Sequence, residues 1–361
     1  MPLSRSRSER GAIFIHVALL LVVLMGFIAF VADYGMLMVA RNQAQNTADA
    51  AALAGAQSLA FDTDAADRWD RARNVAWTTG AHNRVWGDQP GVVPTSPYSG
   101  APCDGVSAGA GDPNGCIRVD VYRNGANGSN ALSTWFGVLF GVSTQGTRAM
   151  AVAQTLPASG TDCLKPWLIP DRWNEAQGNP NEFDAPGDTY TRPTMNEDGT
   201  LNYGTGWTPD DIGQSILLKP GNPHQAISPS DFYEIEEASL YEEAIYGCEI
   251  TASIGDVVHA LPGNRQGPTK HGVEELLARH GGSATVIIAM FDPAQFAAQD
   301  RQSGNFTLEI VNMLAFRIEG IESNGTVYGE IVGSPAEQLT ACSTFPCPTS
   351  TGLINIIRLV R

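Results

Sequence analysis

Seven carboxylates fall between Asp231 and Glu249 with no Lys or Arg among them: Asp231, Glu234, Glu236, Glu237, Glu242, Glu243 and Glu249. Hard oxygen ligands crowded in this way are what a calcium ion needs. The same run also describes an ordinary solvated helix face, and that is the expectation adopted. The turn Asn196-Glu197-Asp198-Gly199-Thr200 begins like a calcium loop but lacks the later ligand positions. Pro262 to Lys270 (PGNRQGPTK) has the glycines of a phosphate cradle without the Gly-Lys-Ser/Thr end, and its prolines remove N–H donors. It is read as a turn before a helix over Gly272–His280. His224, His259, His271 and His280 are the side chains able to act as general base toward a Ser or Cys nucleophile. Neither H-E-x-x-H nor S-x-x-K accompanies them. No catalytic residue, cofactor or metal set is assigned, and the chain is expected not to be an enzyme.

The six cysteines, Cys103, Cys116, Cys163, Cys248, Cys342 and Cys347, form an even set that suits disulfides in an oxidising compartment. Six allow fifteen connectivities. Proximity in sequence couples Cys103 with Cys116 and Cys342 with Cys347, leaving Cys163 with Cys248. A zinc site would need C-x-x-C or His at matching spacing, and neither occurs.

The elements that position these groups begin at the N-terminus. No charged residue interrupts Ala12–Ala32. Twenty-one helical residues extend roughly 32 Å, about the hydrocarbon thickness of a bilayer. The run is longer than the ~7–15 apolar residues of a cleavable signal and lacks a small-x-small site after it. A retained single-pass anchor is expected. Arg5, Arg7 and Arg10 precede it and Asp33 follows, so the charge rule puts residues 1–11 in the cytoplasm and 33–361 outside. His16 in the span is read as snorkelling or facing another helix. Of 22 Lys plus Arg and 38 Asp plus Glu, the part beyond the span holds 19 and 37, a net of −18. That balance excludes a nucleic-acid binder and disfavours docking on anionic lipid.

Beyond the span the chain stays rich in alanine and free of proline to Ala60, which predicts one continuous helix. Ala44, Ala48, Ala51 and Gly55 make a stripe of small residues on one face, and Asn42, Asn46 and Asp49 a polar stripe on another. Small stripes admit a second backbone at close range. The second backbone is either the chain's own domain or another subunit's helix, which would give a homo-oligomer.

The ordered set Arg10-Gly11, Val31-Ala32-Asp33, Gln45-Asn46 and Asp49-Ala50-Ala51-Ala52-Leu53-Ala54-Gly55-Ala56 resembles the N-terminal module of TadG-like proteins (TadE/TadG family) of the Tad/Flp pilus assembly system, most strongly over residues 10–57. Pilin-like members are cut after a glycine with a Glu five residues on. Here His16 stands five after Gly11, so the resemblance implies an uncut, TadG-type anchor. Some TadG-like proteins carry a D-x-S-x-S metal motif; Asp104-Gly105-Val106-Ser107 departs from it, and that role is not carried over.

The remaining pattern is α+β. A second helix is expected over 65–76, a Gly/Pro/Ser-rich loop over 87–114, a strand over 117–122, a short apolar helix from Leu132 to Phe140 stopped at Gly141, and a strand over 147–155. After Pro157 the chain turns dense in Pro, Asn and Asp, with apolar runs at Ser215–Leu218, Ala284–Phe291, Phe306–Phe316 and Leu353–Val360. The expected division is a tail (1–11), an anchor (12–32), a helix with a small α/β region (33–156) and a strand-rich extracytoplasmic domain (157–361). The resemblance implies a non-enzymatic component of pilus assembly in the bacterial inner membrane, facing the periplasm, with other Tad proteins and pilin as partners. A tethered adhesion module holding calcium or glycan is the alternative, and a tethered hydrolase the third reading.

Overall fold

The computed structural model describes residues 6–62, 67–98, 103, 115–176, 182–184, 187–196, 201–236, 240–262, 265–299, 306–333, 339–341 and 353–360. Helix α1 (Ser6–Phe61) is unbroken through the apolar run and the alanine-rich stretch, with no proline to interrupt it. Helix α2 covers Arg68–His82, further along the chain than the expected 65–76. Its extension has a tertiary cause: a Cβ on Gly80 would sit 2.8 Å from Val92 and 3.4 Å from Ala51, so the last turn is clamped between α1 and the sheet.

The strands are β1 (Gly91–Thr95), β2 (Cys116–Arg123), β3 (Leu132–Ser133), β4 (Thr144–Gln145), β5 (Thr147–Pro170), β6 (Thr194–Met195), β7 (Leu201–Asn202), β8 (Ser215–Pro220) and β9 (Asp231–Ile235). Helix α3 (Tyr241–Tyr246), β10 (Ile250–Ser253), β11 (Val257–Pro262), α4 (Gln266–Arg279), β12 (Ala284–Phe291) and α5 (Pro293–Ala298) follow, then β13 (Phe306–Ile321), β14 (Val327–Ile331), β15 (Leu339–Ala341) and β16 (Asn355–Val360). The apolar runs expected as strands are β8, β12, β13 and β16. The expected loop over 87–114 instead contains β1, paired antiparallel to β2.

One large sheet orders β1-β2-β5-β12-β13-β11-β9-β8-β14, with β10, β15 and β16 also on β5. The boundary expected between 156 and 157 falls inside β5, whose 24 residues run through both halves. Pro157 lies opposite Asn355 of β16, and Pro166 falls where the β12 register jumps from Ile287↔Leu164 to Ala289↔Leu168. A bulge is one of the places where a sheet tolerates a residue that cannot donate.

On the β2 side of this spine, Ile117, Val119, Val121, Ala149, Ala151 and Ala153 pack against α1 and α2. On the other side the alternation within β12 is decisive. Ile287, Ala289 and Phe291 enter one core with Leu164, Tyr233 and Phe296. Val286, Ile288 and Met290 enter another, covered by Ile245 of α3 and Val273 and Leu276 of α4. Both faces are buried, which is why the strand reads as an uninterrupted apolar run.

Leu132–Phe140 is not the expected helix. It comprises β3, which pairs with β4, and a 3-10 turn over Gly137–Phe140. Gly141 does end that turn, at φ 81°, the left-handed conformation only glycine adopts freely.

Candidate functional site

The membrane-proximal end of α1 is where sequence and geometry converge. Ile13, Phe14, Leu20, Val22, Phe27, Ile28 and Val31 stand exposed around the helix. The helix is long and apolar enough to cross a membrane. Asp33, the first charge after the run, is not left to solvent. Its carboxylate accepts the backbone N–H of Trp135 at 2.8 Å, Phe136 at 3.1 Å and Gly137 at 2.6 Å, and its carbonyl accepts Gln145 Nε2 at 3.1 Å. Sequence reasoning missed this clasp, because its halves lie about a hundred positions apart.

Above Asp33 the small stripe is filled from within the chain. Ala44, Ala48 and Ala51 are fully buried with Ala72 and Ala76 of α2 and Ile117 of β2. Gly55 faces the same contact: a Cβ there would meet Ile117 Cδ1 at 2.6 Å, Ala76 Cβ at 3.1 Å and the Ala72 carbonyl at 3.2 Å. The second backbone is thus the chain's own, and this face has no room for a helix of another subunit. The polar stripe takes the outside, with Asn42 and Asn46 exposed and Asp49 accepting Gln45 Nε2 at 2.8 Å. Residues Val39, Asn42, Asn46, Ala50 and Gln57 make the solvent-facing side of α1.

Arg123, at 2% exposure, closes the far edge of this unit. Its guanidinium donates to the carbonyls of Val85 (3.0 Å) and Asn130 and to the Asp88 carboxylate (2.6 Å).

The other chemistry-bearing residues disperse. Disulfides join Cys103 to Cys116 and Cys163 to Cys248. Cys342 and Cys347 lie outside the described residues. The acidic run divides between β9 and α3 rather than forming one helix face. Glu234 is buried and pairs with Arg265 at 3.0 Å. Burial pushes its carboxyl up against the pull of that guanidinium. Glu237 lies outside the described residues, as do positions 197–200 and 263–264. Among the described residues no three His, Cys, Asp or Glu gather as a metal set. His224 is exposed in a turn, His259 on β11, His271 on α4 and His280 at its end, where Nδ1 lies 2.9 Å from the Leu276 carbonyl. The helix expected over 272–280 is α4, which starts six residues earlier.

One motif escapes the sequence reading. Gly105-Val106-Ser107-Ala108-Gly109 spells G-x-S-x-G, the pattern of a hydrolase elbow. The elbow needs a strand before it and a helix after it. Here it sits in a Gly-rich stretch between Cys103 and Cys116, outside the described residues.

A cleft of about 370 Å³ opens where β5 ends, lined by Asp171, Arg172, Trp173, Glu175, Trp207 and Gln214, among others. Asp171 is fully buried. It accepts from the Arg172 N–H (2.8 Å), the Tyr190 hydroxyl (3.0 Å) and Asn312 Nδ2 (3.3 Å). Burial pushes its carboxyl up to about 6 against these donors. The described lining holds no His, Ser, Thr or Cys to make a proton relay or nucleophile. The contacts of Asp171 tie the segment after β5 and the Tyr190 loop to β13 at the position of its bulge against β12.

Residues 11–58 match the family model described as "Putative Flp pilus-assembly TadE/G-like". The chain therefore carries a TadE/G-like segment, and it coincides with the span and the buried stripe of α1. No curated protein and no solved structure matches the chain significantly.

Proposed function

We propose that this chain is a non-enzymatic component of Tad/Flp-type pilus assembly. In this reading residues 12–32 anchor it in the bacterial inner membrane, with the N-terminus cytoplasmic and residues 33–361 in the periplasm. The observation that carries the proposal is the TadE/G-like segment over 11–58, which here lies within one unbroken helix whose alanine-rich part packs into the folded domain. Arg5, Arg7 and Arg10 on one side and Asp33 on the other support the orientation. Because the small stripe is spent on the chain's own fold, the side of α1 offered to other pilus proteins is the outer one, through Asn42, Asn46, Ala50 and Gln57. Dispersed histidines, and an Asp171 occupied by the chain's own donors, support a binding rather than a catalytic role.

The test is a photo-crosslinking amino acid placed in the full-length chain in cells assembling the pilus. At Asn46 it is expected to yield adducts with pilus-assembly proteins, and at buried Ala48 it is not. Absence of any pilus component at Asn42, Asn46, Ala50 and Gln57 overturns the assignment.

A further inference from the structure

The stretch from Asn124 to Thr147 contains no charged residue, in a chain that is 17% charged. Within it Trp135, Leu139 and Phe140 are 69%, 78% and 75% exposed, and Val138 and Val142 are more than half exposed. Soluble surfaces seldom gather so much contiguous apolar area. The clasp on Asp33 fixes where this cluster points. From the three N–H groups held by that carboxylate, the segment turns back along α1 toward the span. Phe136, Phe140 and Val142 share an apolar cavity of about 400 Å³ with Gly26, Ala29 and Phe30. Gly26 lies seven residues before Asp33, roughly 10 Å of helix into the apolar run. Through Phe136, Phe140 and Val142 the cluster thus lies beside the end of the apolar run, in a cavity that reaches from Gly26 past Asp33 to Leu37, and is continuous with the exposed apolar surface of the helix.

We propose that Trp135–Val142 is a membrane-embedded foot that sits in the leaflet at the Asp33 end of the span, with a phospholipid acyl chain filling the cavity between the foot and α1. The proposal rests on reading residues 12–32 as a membrane span. A bilayer fits better than a protein partner because the patch shares the span's own solvent. The Asp33 carboxylate and the three N–H groups satisfy one another, so neither is left bare where water thins out. Trp135 begins the foot, as an indole does at a membrane interface. The acidic domain gives no electrostatic pull toward anionic lipid, so attachment is apolar. Span and foot together make two points of attachment, which fix how the domain is turned on the membrane.

The experiment uses the full-length protein in phosphatidylcholine vesicles carrying bromine at acyl carbons 6 and 7, with unbrominated vesicles as reference. The chain has seven Trp. Bromine is expected to quench about one Trp's share of the emission, and Trp135→Phe to abolish that loss. A Leu139→Asp, Phe140→Asp variant is expected to cut the quenching to the Trp135→Phe level while remaining in the membrane through alkaline carbonate extraction. Equal quenching in wild type and Trp135→Phe, in protein that resists carbonate, overturns the foot and leaves the span intact. Release of wild-type protein by carbonate overturns the span and the foot with it. Because Trp135→Phe changes one exposed side chain, the comparison survives even if the double variant fails to fold.

Discussion

Gly55→Ala tests the packing of α1 on the sheet, because two local effects of known sign oppose each other there. Replacing a mid-helix Gly by Ala is worth about 1 kcal/mol to the helix. Against that, the new Cβ would lie 2.6 Å from Ile117 Cδ1, 3.1 Å from Ala76 Cβ and 3.2 Å from the Ala72 carbonyl. Carbon atoms pack best at roughly 3.5–4.0 Å. Forcing a methyl into a filled core costs typically about 1–3 kcal/mol, so Gly55→Ala is expected to destabilise by about 0–2 kcal/mol. The nearest clash is with one terminal methyl, which Ile117→Val removes. Alone that change costs about 0.5–1.5 kcal/mol for the small cavity. In the double variant the Ala methyl occupies the space the Ile methyl vacates. A double-mutant cycle should then give a coupling of about 1–2 kcal/mol in the rescuing direction, against about 0.5 kcal/mol or less for independent sites. The assay is guanidinium unfolding of the full chain in detergent, followed by Trp emission. Additive effects, or a Gly55→Ala variant stabilised by the whole helix term, would refute the placement of Gly55 against Ile117.

Two further outcomes follow from buried charge. Arg123→Met removes the donor to Val85 and Asn130 and leaves the buried Val85 carbonyl only the longer bond from the Asp88 N–H at 3.4 Å, so unfolding should become easier by about 1–3 kcal/mol; a change below about 0.5 kcal/mol counts against that network. The Asp171 carboxyl titrates at about 6 when folded against an ordinary 3.8. A raised acid contributes stability that is present below the unfolded value and lost as pH climbs through the folded one. Between pH 4 and 6.5 wild type should therefore lose about 2–3 kcal/mol relative to Asp171→Asn; a flat difference across that window refutes the assignment.

The small stripe shows how far sequence reasoning reached. Its spacing declared a close contact, and nothing in α1 said with whom. Ile117, Ala72 and Ala76, which answer the question, belong to segments with their own local logic. In the same way Asp33 looked like a boundary marker after an apolar run, while the segment it clasps looked like a short helix. Thr134 and Gly137 weaken helix there, and the chain satisfies its N–H groups on a carboxylate instead. The expected helix at 65–76 missed its end by six residues, because the last turn is held by Val92 and Ala51 rather than by its own propensity.

What the sequence by itself determined is local and periodic: the uncharged span, the unbroken helix beyond it, and the apolar runs that became β8, β12, β13 and β16. Each needs only neighbours within a turn of helix or a few strand positions to declare itself. Tertiary structure alone decided that β5 continues through Pro157 and Pro166, since a proline reads as a break until a bulge or a partner strand takes it up. It also decided that β16 returns to pair with β5 and that Asn355 donates to the Ala60 carbonyl at the end of α1, 295 positions away. Pairings over such separations are selected by the burial of whole faces, and no window of sequence contains both partners.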